Sequence, residues 1–149
     1  TNYGNRMEAI NFALGHYDGM THNGLNQAQV ILIGVSRSGK TPTSIYLAMQ
    51  FGIKAANYPL IPEDFERGTL PPILDGYLDK IFGLTIKPER LNSLRSERRP
   101  DSLYASLSNC REEIGLAEAL MKQLRIPMAD STSRSVEELS AIIIQKIKT

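Results

Sequence analysis

Residues 30–51 join a short apolar run to a glycine-bearing turn and then to a segment with helical periodicity. The run from Val30 to Ile33 is continuous and mostly β-branched, a pattern typical of a strand buried on both faces of a parallel sheet. A turn from Gly34 to Gly39 follows, and apolar residues then recur at helical spacing at Ile45, Leu47, Ala48 and Phe51. This order predicts an α/β fold with a mainly parallel sheet flanked by helices.

The rest of the chain alternates between strand-like and helix-like segments. We predict a helix over 5–15, a polar loop over 16–26, strands over 54–57, 84–86 and 126–129, and helices over 73–82, 88–99, 107–124 and from 135 onward. Prolines interrupt residues 59–72, where we expect a loop with a short acidic turn at Glu63 and Asp64. Ser135 and Glu138 have the spacing of a capping box, and the helix that they begin should bury Leu139, Ile142, Ile143 and Ile147.

Composition excludes several classes of protein. The chain has 149 residues and a net charge of +1, so we expect a single domain over residues 1–149 with no nucleic-acid or membrane partner. The lone cysteine, Cys110, excludes an internal disulfide and a zinc site built on several thiolates. No apolar run approaches the roughly 20 residues that cross a bilayer.

The start of the chain also carries information. There is no initiating Met, and the sequence opens inside a predicted helix, so we expect the C-terminal part of a longer protein. Residues 1–26 then form a helix and a loop that lead into the domain. With no recognisable signal peptide and a single cysteine, we expect a reducing, cytoplasmic location.

Residues 34–41 match the pattern G-x-x-x-x-G-K-[ST] of the phosphate-binding P-loop. Its glycines let the backbone approach an anion closely, and the loop N–H groups and the following helix N-terminus favour negative charge. Lys40 supplies a mobile charge for the terminal phosphates, and the Thr41 hydroxyl is placed to ligate Mg²⁺. We therefore predict a P-loop, kinase-like nucleotide-binding domain whose nucleotide-binding residues are Gly34, Val35, Ser36, Arg37, Ser38, Gly39, Lys40 and Thr41.

A second acidic motif is weak in this sequence. P-loop enzymes commonly hold the metal's water shell with an Asp at the end of another strand. The candidates are Asp130, whose strand contains a proline, and Asp75, which follows Pro71 and Pro72 closely. The His-Arg-Asp and Asp-Phe-Gly signatures of protein kinases are absent from the sequence. The sequence thus predicts nucleotide binding more clearly than it predicts a reaction.

The loop and its surroundings closely resemble the phosphoenolpyruvate synthase regulatory proteins of bacteria and the similar pyruvate, phosphate dikinase regulatory proteins of plants. The resemblance starts with the loop and Pro42-Thr43-Ser44 and covers nearly the whole chain, corresponding to the C-terminal part of the family. Further matching motifs are Tyr46-Leu47-Ala48, Ala56-Asn57-Tyr58-Pro59-Leu60, Phe82-Gly83-Leu84-Thr85-Ile86, Pro88-Glu89-Arg90-Leu91, Ser102-Leu103-Tyr104-Ala105 and Ser135-Val136-Glu137-Glu138.

The resemblance implies a bifunctional regulatory phosphotransferase. Such proteins transfer the β-phosphate of ADP to a threonine near the catalytic histidine of phosphoenolpyruvate synthase, which inactivates that enzyme. They also remove the phosphate with inorganic phosphate as co-substrate and release pyrophosphate. The implied cofactors are ADP and Mg²⁺, the protein partner is the dikinase-type synthase, and the oligomeric state stays open, a dimer included.

Catalytic roles are assigned to Lys40, to Thr41 and to Asp18. Family members often carry Asp-Asp-Gly upstream of the first strand, where this chain has Tyr17-Asp18-Gly19, so only the second Asp is present. Asp18 is our candidate for the base that takes the threonine proton, and a simple turn residue is the alternative. Arg37 either touches a phosphate or is solvated.

Residues 80–99 are rich in basic side chains, which form either a clamp on the transferring phosphate or a solvated helix face. The basic residues are Lys80, Lys87, Arg90, Arg95, Arg98 and Arg99. His16 and His22 are expected in a loop without a metal, and Cys110 is expected in the core. Tyr104 is expected to pack in the core, with substrate orientation as the alternative.

Two other functions remain compatible with the residues themselves. A small-molecule P-loop kinase would use ATP as donor, and a nucleotide-binding module would bind without transfer. The phosphoryl donor distinguishes the three possibilities.

Overall fold

The computed structural model describes residues 2–16 and 24–148. In these residues the strands are β1 (Val30–Gly34), β2 (Ala55–Pro59), β3 (Ile81–Thr85) and β4 (Met128–Asp130). The helices are α1 (Asn2–Gly15), α2 (Lys40–Phe51), α3 (Pro62–Arg67), α4 (Pro88–Arg98), α5 (Leu107–Gln123) and α6 (Val136–Lys148). Short 3₁₀ turns occupy Leu25–Gln27, Pro72–Leu74 and Leu78–Lys80.

The strands form one parallel sheet in the order β2-β1-β3-β4. Strand β1 pairs with β2 from Val30 opposite Ala55 to Gly34 opposite Pro59, and with β3 on its other side. All five residues of β1 are buried, as the unbroken apolar run predicts. Because the strands are parallel, all their carboxyl ends lie at one edge of the sheet, which we call the carboxyl edge.

Helices cover both faces of the sheet. Ile31 and Ile33 of β1 pack with a cluster that includes Leu91 of α4 and Ile114 of α5. The alternate residues of β1 point to the other face and pack with Leu47, Leu139 and Ile143 of α2 and α6. The predicted α/β fold with a parallel sheet flanked by helices is confirmed.

The predicted helix over residues 73–82 is wrong. Two 3₁₀ turns occupy part of this stretch, and Gly76 lies between them with a φ of +88°, outside the helical region. Strand β3 begins at Ile81, three residues before the predicted strand, and its first four residues are buried. The apolar residues at 81–84 fill the sheet between β1 and β4, so tertiary pairing determines their structure.

Smaller differences concern two helices. The predicted acidic turn at Glu63 is the first turn of α3, where the Asp64 carboxylate accepts a hydrogen bond from the Ile61 N–H. At the end of the chain Leu139 and Ile143 are buried as predicted, whereas Ile147 is exposed on the last turn of α6. None of the helices in the described part of the chain has the length and apolar character needed to cross a membrane.

Candidate functional site

The glycine loop, residues 34–41, connects the carboxyl end of β1 to the first turn of α2. At Gly34 the φ is +158°, and a Cβ there would lie 2.5 Å from the Leu84 carbonyl oxygen and 2.7 Å from Ser38 Oγ. Gly39 has a φ of +99° in the left-handed region and is the N-cap of α2. These two positions require glycine, so the backbone passes close to β3 and then turns sharply into the helix.

Two carbonyl oxygens of the loop accept hydrogen bonds from neighbouring segments of the chain. The Leu60 N–H donates to Gly34 O at 2.8 Å, and Ser131 Oγ donates to Ser38 O at 2.8 Å. In a planar trans peptide the following N–H points opposite to the carbonyl. Fixing these carbonyls therefore fixes the direction of N–H groups that an anion could use.

Lys40 and Thr41 both line the cavity beside the loop. The Lys40 side chain is only 2% exposed, and its Nζ donates to Val35 O at 2.9 Å. Thr41 is half-buried at the start of α2 and lines the cavity. Of the eight predicted nucleotide-binding residues, the six from Ser36 to Thr41 line the cavity, whereas Gly34 and Val35 do not.

The cavity has a volume of about 1050 Å³ and lies at the carboxyl edge. Its walls are the glycine loop, one side of α4 and the segment after β4. Six basic side chains line it, and no acidic side chain among the described residues does; the basic ones are Arg37, Lys40, Arg90, Arg98, Arg99 and Arg134. Concentrating one sign of charge in a cleft attracts anions, and phosphate groups match guanidinium geometry well.

The basic residues of 80–99 divide into three groups in space. Arg90, Arg98 and Arg99 line the cavity. Lys80 and Lys87 do not line it: Lys80 Nζ donates to Asn26 O at 3.0 Å, and Lys87 is exposed. Arg95 is fully buried in an ion pair with Glu113, with 2.9 Å between Nη2 and Oε1, so it is neither a clamp nor a solvated residue.

Arg134 was not among the candidates from the sequence. It lines the cavity, and its Nη1 donates to Asp130 O at 2.9 Å. A signal was available, because Arg134 follows closely after the predicted strand that ends near Asp130. The loops after parallel strands meet at the same edge of the sheet, where ligands bind in open α/β folds.

The two candidate acids do not line the cavity. Asp130 ends β4 at the carboxyl edge, and its Oδ1 accepts hydrogen bonds from Thr132 N at 2.8 Å and from Thr132 Oγ1 at 2.5 Å. Asp75 is exposed in the connection that precedes β3, so it lies toward the opposite edge of the sheet.

Among the described residues, no three His, Cys, Asp or Glu side chains lie close enough together to hold a metal ion by themselves. Mg²⁺ at phosphate sites differs from a metal ion held in this way, because phosphate oxygens and water supply most of its ligands. Thr41 lines the cavity, and a threonine hydroxyl is a suitable single protein ligand of that kind.

The remaining candidates have varied surroundings. Asp18 and His22 lie outside the described residues. His16 is buried just after α1, where its Nδ1 lies 2.8 Å from Phe12 O and its ring stacks on Phe12. Cys110 is buried in the core as expected, and burial raises the pKa of its thiol. Tyr104 lines the cavity, with its hydroxyl 2.6 Å from Ser36 Oγ.

Comparison with known sequences matches the chain to one family model and to several relatives that share one name. The profile of the family described as kinase/pyrophosphorylase matches residues 1–144. A candidate phosphoenolpyruvate synthase regulatory protein of Methylobacillus flagellatus is 70% identical over 146 residues, which are 98% of this chain and 54% of the relative. A protein of the same name from Ralstonia nicotianae is 61% identical over 146 residues, 98% of this chain and 52% of the relative. The chain therefore spans about half the length of the curated relatives that it matches.

Proposed function

This chain belongs to the kinase/pyrophosphorylase family, and from that premise we propose that it is part of a phosphotransferase that regulates phosphoenolpyruvate synthase. We propose that it transfers the β-phosphoryl group of ADP to a threonine of the synthase. In a second, reverse activity, inorganic phosphate takes the phosphoryl group off the threonine, and pyrophosphate is released. The names of the relatives support the partner, and the resemblance of the loop and its flanking motifs supports the donor.

One observation supports this function most strongly: the glycine loop opens into a cavity lined by six basic side chains and by no described acidic side chain. Both proposed reactions move a phosphoryl group between oxygen atoms. Catalysis of such transfers consists mainly of positioning and of neutralising negative charge on the phosphate oxygens. The same cationic cavity therefore suits the forward and the reverse step.

The forward step breaks one P–O bond and forms another. The threonine hydroxyl oxygen attacks the β-phosphorus of ADP, the bond to the oxygen shared with the α-phosphate breaks, and AMP leaves. The threonine proton passes to a base, for which Asp18 is our candidate. In the reverse step an oxygen of inorganic phosphate attacks the phosphothreonine phosphorus and the bond from that phosphorus to the threonine oxygen breaks. The threonine oxygen takes up a proton, and the pyrophosphate that has formed is released.

Each residue has a role that its position supports. The loop N–H groups and Lys40 hold the β-phosphate, since they surround the cavity where α2 begins. Thr41 would ligate Mg²⁺, which would neutralise charge on the phosphate oxygens. Arg98 and Arg99 line the same cavity as the loop residues and orient the phosphoryl group in transfer.

Transfer of label tests the proposal. Phosphoenolpyruvate synthase is incubated with this chain and either ADP labelled on the β-phosphate or ATP labelled on the γ-phosphate. The full-length Methylobacillus flagellatus relative is assayed alongside. We expect label on a threonine from ADP, none from ATP, loss of transfer in Lys40→Ala, and retention in Lys122→Ala, an exposed lysine on α5.

Other outcomes would contradict the proposal in distinct ways. Label that comes from ATP alone would identify an ATP-dependent kinase. Nucleotide binding by both proteins without transfer from either donor would identify a binding module.

A further inference from the structure

Arg95 is the centre of a buried polar network beside the glycine loop. Its side chain is 0% exposed, and its guanidinium pairs with Glu113 through two contacts, Nη2 to Oε1 at 2.9 Å and Nη1 to Oε2 at 3.3 Å. Asn109 Nδ2 donates to the same Glu113 carboxylate at 2.6 Å. A buried ion pair commonly adds little net stability relative to apolar residues of similar volume. Stability alone therefore does not account for this ion pair, and the groups that the guanidinium contacts indicate its role.

The guanidinium holds the loop at Ser36. Arg95 Nε and Nη2 donate to Ser36 O at 3.3 and 3.2 Å, and Nη1 donates to Tyr104 O at 2.9 Å. Since the peptide is planar and trans, the Arg37 N–H points opposite to Ser36 O. Among the described residues, the N–H groups of Arg37 and Gly39 donate to no protein acceptor, so both are available to an anion.

Arg37 has a backbone conformation that needs support. Its φ is +75°, in the left-handed region that non-glycine residues rarely adopt. Left-handed residues in turns help adjacent N–H groups converge on an anion. The carbonyl that precedes Arg37 is Ser36 O, which accepts hydrogen bonds from Arg95. Arg95 therefore acts as an anchor directly on the peptide that joins Ser36 to Arg37, the residue with the strained φ.

Tyr104 attaches the same part of the loop a second time. Its ring lies over the Arg95 guanidinium, with 4.1 Å from Cζ to the ring centroid, and its hydroxyl lies 2.6 Å from Ser36 Oγ. Arg98 and Arg99, which line the cavity, are on the last turn of α4 and the residue after it, one turn beyond Arg95. One buried side chain thus ties the loop to the helix that carries the cavity arginines.

We infer that Arg95, held in place by Glu113, is a positioning residue that fixes the Ser36–Arg37 peptide in its anion-binding orientation and thereby sets the affinity of the loop for phosphate groups. The inference rests on the proposed function for the kind of ligand that the loop binds. Arg95 does not itself line the cavity, so it acts through the backbone of the loop.

Two changes test the anchor. In Arg95→Lys the positive charge is kept, but a single ammonium group cannot reproduce the fork that reaches Ser36, Tyr104 and Glu113 together. The double change Arg95→Met with Glu113→Gln removes both charges, so that no buried charge remains unpaired. The matched control is Asn92→Ala, since Asn92 is also on α4 and its Nδ2 donates to Ala105 O at 2.6 Å without touching the loop.

Two readouts separate positioning from a general loss of structure. The first, in the protein without ligand, is hydrogen exchange at the Ser38 N–H, which donates to Val35 O, together with the amide ¹⁵N shift of Arg37. The second is the affinity for inorganic pyrophosphate by calorimetry. In both Arg95 variants we expect exchange about tenfold faster, a shifted Arg37 signal and about tenfold weaker binding. Asn92→Ala should match the wild type in both readouts, even where its melting temperature falls.

Loop signals and pyrophosphate affinity that stay at wild-type values in a folded Arg95→Lys protein would overturn the inference, as would equal effects in Asn92→Ala. If the wild type binds no pyrophosphate, the proposed function fails. Hydrogen exchange and the Arg37 shift then still decide whether Arg95 positions the loop.

Discussion

Gly34 brings the loop backbone closer to β3 than a side chain permits. A Cβ would meet the Leu84 carbonyl oxygen at 2.5 Å, and that backbone cannot move without disturbing the sheet. We expect Gly34→Ala to lower the free energy of unfolding by about 2 kcal/mol, measured by urea denaturation. Gly115→Ala on α5 is the control, because a Cβ there meets nothing within 4 Å and alanine favours a helix. Equal midpoints for Gly34→Ala and the wild type would contradict the argument.

Arg98 tests whether the cavity arginines act in transfer. Because its charge is placed to meet the moving phosphoryl group, we expect Arg98→Ala to slow transfer from ADP about a hundredfold and to weaken ADP binding far less. Single-turnover rates and calorimetric affinities measure the two effects. Arg111→Ala, an exposed arginine on α5 outside the cavity lining, should leave both unchanged. An unchanged transfer rate in Arg98→Ala would remove the clamp from the mechanism.

The sequence alone was enough to predict part of the candidate site. The glycine loop was predictable because strand, turn and helix follow one another in sequence, and local geometry needs glycine there. The role of Arg95 was not predicted, because it shares its charge and its helix with Arg98. A signal existed in Leu91, which lies four residues before Arg95 on the same helix face and is fully buried.

A capping box begins α6, as its sequence predicts. Glu138 Oε1 accepts a hydrogen bond from Ser135 N at 2.9 Å, and Ser135 Oγ accepts one from Glu138 N at 3.1 Å. The hydrogen bonds from Ser135 hold the pKa of Glu138 below its ordinary value. Because the folded pKa is the lower one, this stabilisation is complete above the unfolded pKa and is lost as the pH falls through the folded pKa.

The cap gives a test that depends on pH. We expect the free energy of unfolding of the wild type to fall more steeply below about pH 4 than that of Glu138→Gln, which has no carboxylate to protonate. Urea denaturation across pH 3 to 7 measures both slopes. Glu137→Gln, at the neighbouring exposed carboxylate, should keep the wild-type slope. Parallel slopes for wild type and Glu138→Gln would contradict a stabilising contribution from the ionised Glu138 carboxylate.

Elements with a strong local signal were predicted well, and β3 was not. Strand β1 is a continuous apolar run between polar segments, and α2 ends at Gly52, whose φ is +65°. In contrast, β3 follows turns that contain further apolar residues, so its pattern merges with theirs. Its position is fixed by pairing with β1 and β4, which are distant in sequence.

At the scale of the whole molecule, the parallel sheet assembles the cavity. The glycine loop follows β1, the arginines of α4 come after β3, and Arg134 comes after β4, so three separate segments meet at the carboxyl edge. The fold class predicts this meeting. Which side chains face the cavity depends on how α4 packs, through Leu91 and Arg95, and that packing involves residues far apart in sequence.

The most direct test of whether the glycine loop binds a nucleoside diphosphate is a calorimetric titration of this chain with ADP and with ATP in the presence of Mg²⁺. We predict that ADP binds at least as tightly as ATP and that Lys40→Ala weakens ADP binding about a hundredfold, while Lys122→Ala has no effect. A clear preference for ATP, or an ADP affinity that Lys40→Ala leaves unchanged, would contradict the account.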